Sequence, residues 1–372
     1  MTDANPVTTP VTLPNDRERL VDLLSRLSNA HGLSGYEGSI REIVRTELEG
    51  HVDELFEDRL GNLVAVRCGD DFRVMLASHM DEIGLMVRFV EEKGFLRFAP
   101  IGGWYPPMLA GQRVWVHAGN GPVLGVLGTK PPHVMGEEEK KSPLKIEEMF
   151  IDVGARSADE VRDLGIAPGT PVTIDRQFCR LANDRVSGKA FDNRAGVALL
   201  IEVMRRVSSP STIYGVFTCQ EEVGLKGAKT SSFALDPDCA IATDVTIPGD
   251  HPGVQLKDAP IEMGKGPVVS IADANGRGLL AHPAMLDWMR ETAAAHGIPV
   301  QFEVGSGGTT DASAIHLSRE GVPSTVLSTP ARYIHSPVEV IDLADLEAGI
   351  RLLVEALKGR PRIQPRRAGG SA

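Results

Sequence analysis

No stretch of this 372-residue chain approaches the roughly 18 apolar residues of a membrane-spanning helix, so no membrane partner is expected. Residues 1–16 are polar and rich in Thr and Pro, with no basic patch leading into an apolar run. A secretory signal is therefore not expected, and a cytoplasmic protein is. Paired cysteine spacing is missing too. Cys68, Cys179, Cys219 and Cys239 each sit in or beside an apolar segment, which reads as buried free thiols in a reducing compartment. Basic charge is not in excess: a net charge of -11 argues against nucleic acid as a partner. There is no Gly-x-Ser-x-Gly nucleophile elbow. The glycine-rich stretch Gly305-Ser306-Gly307-Gly308-Thr309-Thr310-Asp311 lacks the Lys of a phosphate loop. It reads instead as a close backbone approach beside a substrate, with Asp311 near a helix start.

What is present is an α/β rhythm interrupted once. Leu20, Leu23, Leu24 and Leu27 form one stripe of a helix expected over 17–30, with Asp16 as candidate cap. A second helix is expected over 39–49, stopped by Gly50. Strands are expected over 52–56, 63–67 and 74–77. From about residue 90 to 183 the segments become short, β-rich and separated by glycines, with one helical piece near 158–164 capped by Ser157. Between them, Gly136-Glu137-Glu138-Glu139-Lys140-Lys141-Ser142-Pro143 reads as an exposed charged loop. After Asp192 helices (194–207, 284–295, 311–319, 343–357) alternate with strands (213–218, 239–243, 268–271, 300–304, 324–327). The expected fold is α/β: a mostly parallel central sheet with helices on both faces, built from 17–89 and 184–359, with a small β domain inserted at 90–183. Residues 1–16 are expected to be disordered and 360–372 to be a flexible tail.

Seven polar groups fall where apolar, strand-like runs end. His79 and Asp81 follow Val74-Met75-Leu76-Ala77, and Glu221-Glu222 follow Ile213-Tyr214-Gly215-Val216-Phe217. Asp244 follows Ala240-Ile241-Ala242-Thr243, His335 lies beyond Thr325-Val326-Leu327, and Asp192 sits in Gly188-Lys189-Ala190-Phe191-Asp192-Asn193-Arg194. Ligands of open α/β sheets gather at the carboxyl ends of the strands, so these residues converge in space. Two divalent cations about 3.5–4 Å apart need a bridging carboxylate, a nitrogen donor on each and a further carboxylate on each. A spare carboxylate must also reach the attacking water. The chain offers His79 and His335, Asp192 to bridge, Asp244 and Glu222 to flank, and Glu221 as general base. Asp81 is left to orient the His79 imidazole, completing the catalytic candidates.

Each piece has a plainer reading. His-x-Asp after a strand can be a solvated turn, and a Glu-Glu doublet can be surface charge. Asp192 can cap a helix, Asp244 can end a strand, and His335 can be a packed imidazole. The doublet lies between Phe217-Thr218-Cys219 and Val223-Gly224-Leu225, and carboxylates in so apolar a setting need cations or partners. His31, His51, His117, His251, His282 and His296 read as structural or solvated, with His133 and His316 nearer a cleft rim.

At these residues the chain resembles the M42 family of metallo-aminopeptidases, the glutamyl and tetrahedral (TET) aminopeptidase group. The motifs are Ser78-His79-Met80-Asp81-Glu82-Ile83-Gly84, Phe191-Asp192-Asn193-Arg194, Gln220-Glu221-Glu222-Val223-Gly224, Thr243-Asp244 and Tyr333-Ile334-His335-Ser336-Pro337. The resemblance spans roughly residues 20–358. It implies one metal on His79, Asp192 and Asp244, another on Asp192, Glu222 and His335, and Glu221 as the base. It also implies a PDZ-like dimerisation domain at the insert and a homo-oligomer built from dimers, up to twelve subunits. The doubled Thr309-Thr310 before Asp311 departs from the family pattern and bears on substrate preference.

The expected function is a two-metal aminopeptidase that releases N-terminal residues from short peptides. Zinc suits the mixed nitrogen and oxygen donors, with cobalt or manganese as alternatives. Two other readings stay open. One is a metal-independent glycoside hydrolase or other amide hydrolase using the paired carboxylates on the same scaffold. The other is a non-enzymatic peptide-binding protein acting through the insert. Arg332 either pairs with an acidic substrate side chain or braces its loop.

Overall fold

The computed structural model describes residues 14–366. Most of the segment expected to be disordered (1–16), and residues 367–372 of the expected tail, lie outside that range. The first helix begins at Pro14, so Asp16 sits inside its first turn instead of capping it.

An 11-stranded sheet carries the larger unit. Its centre is four parallel strands in the order Ser211–Thr218, Asp70–His79, Cys239–Thr246 and Ser324–Arg332. Beyond that centre the pairing is largely antiparallel. Leu63–Arg67 runs against Ser211–Thr218, and Glu339–Asp342 runs against both Ser324–Arg332 and Arg185–Gly188. The sheet is therefore mixed, and the expectation of a mostly parallel one holds only for its middle. Ser324–Arg332 reverses into Glu339–Asp342 through a short turn, which an antiparallel pair allows and a parallel crossover, needing a dozen residues or more, does not.

The central strands are apolar along both faces because helices cover both. Val74 and Leu76 join one core with Ile213, Phe217 and Ile241, while Met75 and Ala77 join a second with Val216 and Ala240. The first core is closed by helices Pro14–Asn29, Gly38–Leu48, Phe191–Arg206, Pro283–His296 and Leu343–Ala356, and the second by Lys226–Leu235 and Asp311–Ile315. Phe191–Arg206 is buried from Phe191 to Met204, as expected of a helix lying between the sheet and further helices.

The second unit is a closed six-stranded barrel: Gly84–Val90, Leu96–Ile101, Phe150–Asp152, Gly121–Gly128, Arg113–Ala118 and Pro171–Ile174. It has its own core, including Leu85, Val87, Val114, Val116, Ile151 and Val172. Closure leaves no unpaired strand edge. Its first strand ends at Val90, where the sequence suggested the insert begins, because Gly84–Val90 continues the apolar texture of the preceding strand. Ser157 caps the barrel helix Ala158–Asp163, accepting from Glu160 N. The expected charged loop at 136–143 instead contains a short exposed helix, Glu137–Lys141, with Glu137–Lys140 and Glu138–Lys141 ion pairs. The helix expected over 311–319 stops at Ile315. All four cysteines are free, but only Cys219 and Cys239 are buried; Cys68 and Cys179 are exposed. No helix among the described residues is long and apolar enough to cross a membrane.

Candidate metal centre

Strand ends deliver the polar groups to one place. His79 is the last residue of the central strand Asp70–His79, and Thr218 ends its neighbour, so Gln220-Glu221-Glu222 turn over the sheet edge. Asp244 stands in Cys239–Thr246, and His335 lies three residues past Ser324–Arg332. Asp192 enters from the start of Phe191–Arg206, where its backbone and that of Asn193 depart from helical geometry. Asp192 does not cap that helix. Its Oδ1 lies 3.1 Å from His79 Nε2 and its Oδ2 lies 3.4 Å from His335 Nε2.

Two groups of donors result. Ligating atoms of His79, Asp192 and Asp244 lie within 4.8 Å of one another, as do those of Asp192, Glu222 and His335. Asp192 is common to both. His335 Nε2 is 3.3 Å from Glu222 Oε2, and Glu221 Oε2 is 3.8 Å from His79 Nε2. Asp81 lies behind them. Its Oδ1 accepts from Glu221 N at 3.0 Å, and its Oδ2 accepts from Glu222 N at 3.2 Å and from Ser34 Oγ at 2.6 Å. The same carboxylate stands 3.4 Å from His79 Nδ1, which also faces the Asp81 carbonyl at 3.2 Å.

The donor set fits cations. A carbonyl only accepts, so the contact with the Asp81 carbonyl places a proton on His79 Nδ1 and leaves the Nε2 lone pair facing Asp192 Oδ1. Two acceptors so close require a proton or a cation between them. Glu222 Oε1 is buried without any hydrogen-bond partner. Burial, reinforced by Asp244, Asp311 and Glu222, pushes the Glu221 carboxyl well above its usual range. Burial and Asp192 do the same to Asp244. Burial pulls the His335 imidazole down, but Asp192 and Glu222 outweigh it and push it up to about 11. Such a cluster needs added positive charge, and divalent cations supply it without protons.

Sequence reasoning missed three supports. Glu339 is buried and accepts from Asp192 N at 2.9 Å and His335 N at 3.0 Å, fixing a backbone position in each donor group. Asn193 donates to Thr243 O at 2.7 Å, tying the Asp192 turn to the Asp244 strand. Asp311, expected near a helix start, opens Asp311–Ile315 and is buried, bonded to Thr218 Oγ1, with Oδ1 unpartnered. The Phe-Asp-Asn-Arg motif held the only sequence signal, for Asn193. Arg332 braces its loop: its Nη2 lies 2.8 Å from Asp250 Oδ2. His133 is exposed, His316 bonds within its own helix, and neither joins the centre.

Comparison with known proteins bears on the same residues. The sequence pattern of the M42 glutamyl aminopeptidase family matches residues 61–352. A solved aminopeptidase from the archaeon Desulfurococcus kamchatkensis is 42% identical, covering 93% of this chain and 96% of that one, with a TM-score of 0.89. The Pyrococcus furiosus lysyl aminopeptidase is 37% identical over 344 residues, 91% of this chain and 97% of that protein. The Pyrococcus horikoshii TET1 peptidase, which can assemble into a tetrahedron or a large octahedral shell, is 33% identical. There the match covers 91% of this chain and 99% of that one, with a TM-score of 0.82.

Proposed function

The chain belongs to the M42 glutamyl aminopeptidase family, whose members hydrolyse peptide bonds, and from that premise we propose a two-metal aminopeptidase that releases N-terminal residues from short peptides. The observation that carries this is the pair of donor groups sharing Asp192, with the Glu221 carboxylate beside them and outside both. His79, Asp192 and Asp244 would hold one ion, and Asp192, Glu222 and His335 the other. Two divalent cations, zinc by preference and cobalt or manganese as substitutes, would supply Lewis acidity toward a water and the scissile carbonyl.

The rest of the chemistry belongs to the chain. Glu221 Oε2 takes the proton of the attacking water and returns it to the leaving amine. Its position beside both donor groups but outside them leaves its oxygens free to carry that proton. Asp81 holds the imidazole of His79 and the backbone of Glu221 and Glu222 in one frame, so base and ligands keep their spacing. The barrel is the PDZ-like dimerisation unit of this reading, and dimers build a particle of up to twelve subunits in the cytoplasm.

Glu221→Gln tests the base. It should retain two metals per subunit and lower kcat by about 10²–10⁴-fold on an aminoacyl chromogenic substrate. Turnover near the wild-type value with metals bound would remove Glu221 from that role.

A further inference from the structure

We propose that the Asp250–Arg332 ion pair positions His335, holding the turn that carries this imidazole so that it reaches the second donor group, while the first donor group is fixed without it. This rests on the two-metal reading. The two imidazoles of the centre are supported differently. The His79 side chain is 2% exposed, stands in the ladder of a central strand and has the Asp81 carboxylate 3.4 Å from its Nδ1. His335 keeps 38% of its side chain exposed. On its Nδ1 side lies Gly103, where an added Cβ would come 3.1 Å away, and no described residue hydrogen-bonds that nitrogen. His335 therefore takes its orientation from its own backbone.

That backbone is strained. His335 lies between Ser324–Arg332 and Glu339–Asp342, outside the strand pairing of either. Tyr333 has a φ of +63° and His335 a φ of +60°, left-handed conformations that residues with side chains rarely adopt. Such turns persist where the surrounding structure over-determines them. Three contacts do so here. His335 N donates to Glu339 Oε1 at 3.0 Å. The Tyr333 ring meets His251 edge-on, with centroids 5.6 Å apart. Directly before Tyr333, the Arg332 guanidinium holds Asp250 by two bonds, Nε to Oδ1 at 3.2 Å and Nη2 to Oδ2 at 2.8 Å.

The anchor is itself fixed. Gly249 N donates to Ile261 O at 2.9 Å and Met263 N to Asp250 Oδ2 at 3.2 Å, so Asp250 stands at the closed base of the segment that follows Cys239–Thr246. A two-pronged guanidinium–carboxylate contact sets direction as well as distance, and each of these side chains is only 16% exposed. The pair ties together the exits of two neighbouring parallel strands, beyond their last paired rung, Thr246 with Pro330. Asp244 stands inside that ladder, opposite Ser328, and is placed before the chain reaches Asp250. The pair therefore acts on His335, and not on His79 or Asp244. Glu339 differs, because it holds a backbone N–H in each donor group.

The test is a calorimetric zinc titration of the metal-stripped full chain, with a competing chelator to resolve the tighter step. Asp250→Asn should weaken one of the two equivalents by about 10–100-fold and leave the other within about threefold. Placed in His335→Ala, which keeps one equivalent, it should move that equivalent by no more than about twofold, since a residue acting through His335 has nothing left to act on. Arg332→Gln should reproduce both results, and keeps the test open if Asp250→Asn does not fold. Equal weakening of both equivalents, or of neither, overturns the proposal and leaves the two-metal reading standing. So does further weakening of the equivalent that remains in His335→Ala. Fewer than two equivalents in the wild type removes the two-metal reading and the positioning role with it.

Discussion

Asp81 joins parts of the centre that are far apart in sequence. One carboxylate receives two consecutive backbone N–H groups, the Ser34 hydroxyl and the Nδ1 side of His79. Removing it leaves those donors buried and leaves the His79 imidazole with only the residue 81 carbonyl to orient it. Asp81→Ala should therefore weaken metal affinity by about 10–100-fold, read by competition with a chromogenic chelator. Unchanged affinity would show that Asp81 serves the fold alone. Most of the polar groups gathered here were legible in the sequence because they stand at or just beyond apolar runs, where an acid or imidazole is conspicuous; Asp192, which opens a helix, stood out through its motif. Glu339 was not. Val338-Glu339-Val340 reads as an ordinary outward position of a strand, and nothing local reveals that its oxygens meet Asp192 N and His335 N. Arg332 carried a sequence-level alternative that only its partner, Asp250, resolves.

Among elements, the loop after the first helix, the turn after His79 and the start of Phe191–Arg206 are joined by buried charge. Lys189 and Arg194 converge on Glu82, which also accepts from Gly32 N at 2.9 Å. Glu82→Gln leaves Lys189 and Arg194 buried without that counter-charge and should destabilise the protein by about 3–5 kcal/mol in denaturant unfolding. Adding Lys189→Met should recover part of the loss, and an unchanged midpoint in the single variant would contradict this balance. The existence of most helices and strands was legible because their periods are clear: Leu63–Arg67 appears at the expected residues, and the last helix begins at Leu343. The direction of the flanking strands was not. Pairing such as Arg185–Gly188 with Glu339–Asp342 joins segments about 150 residues apart, and periodicity carries no information about orientation.

Across the whole molecule, the two units meet through polar as well as apolar contacts. Thr173 of the barrel places its hydroxyl 2.7 Å from His31 Nδ1 and 2.8 Å from His117 Nε2, and burial holds the His31 imidazole down to about 4. At the other end of the sheet, Arg360 and Arg366 pair with Asp70 and Asp238, so the described part of the expected tail is tied to the strands that carry His79 and Asp244. The fold thus fixes both ends of the strands whose carboxyl termini hold the donors. The most direct measurement is metal stoichiometry on dialysed protein, with aminopeptidase turnover followed in parallel. Two equivalents of zinc, cobalt or manganese per subunit are predicted, one in His335→Ala, with activity lost on chelation and restored on reloading. Fewer than two equivalents in the wild type, or hydrolysis that survives complete metal removal, would contradict the two-metal centre.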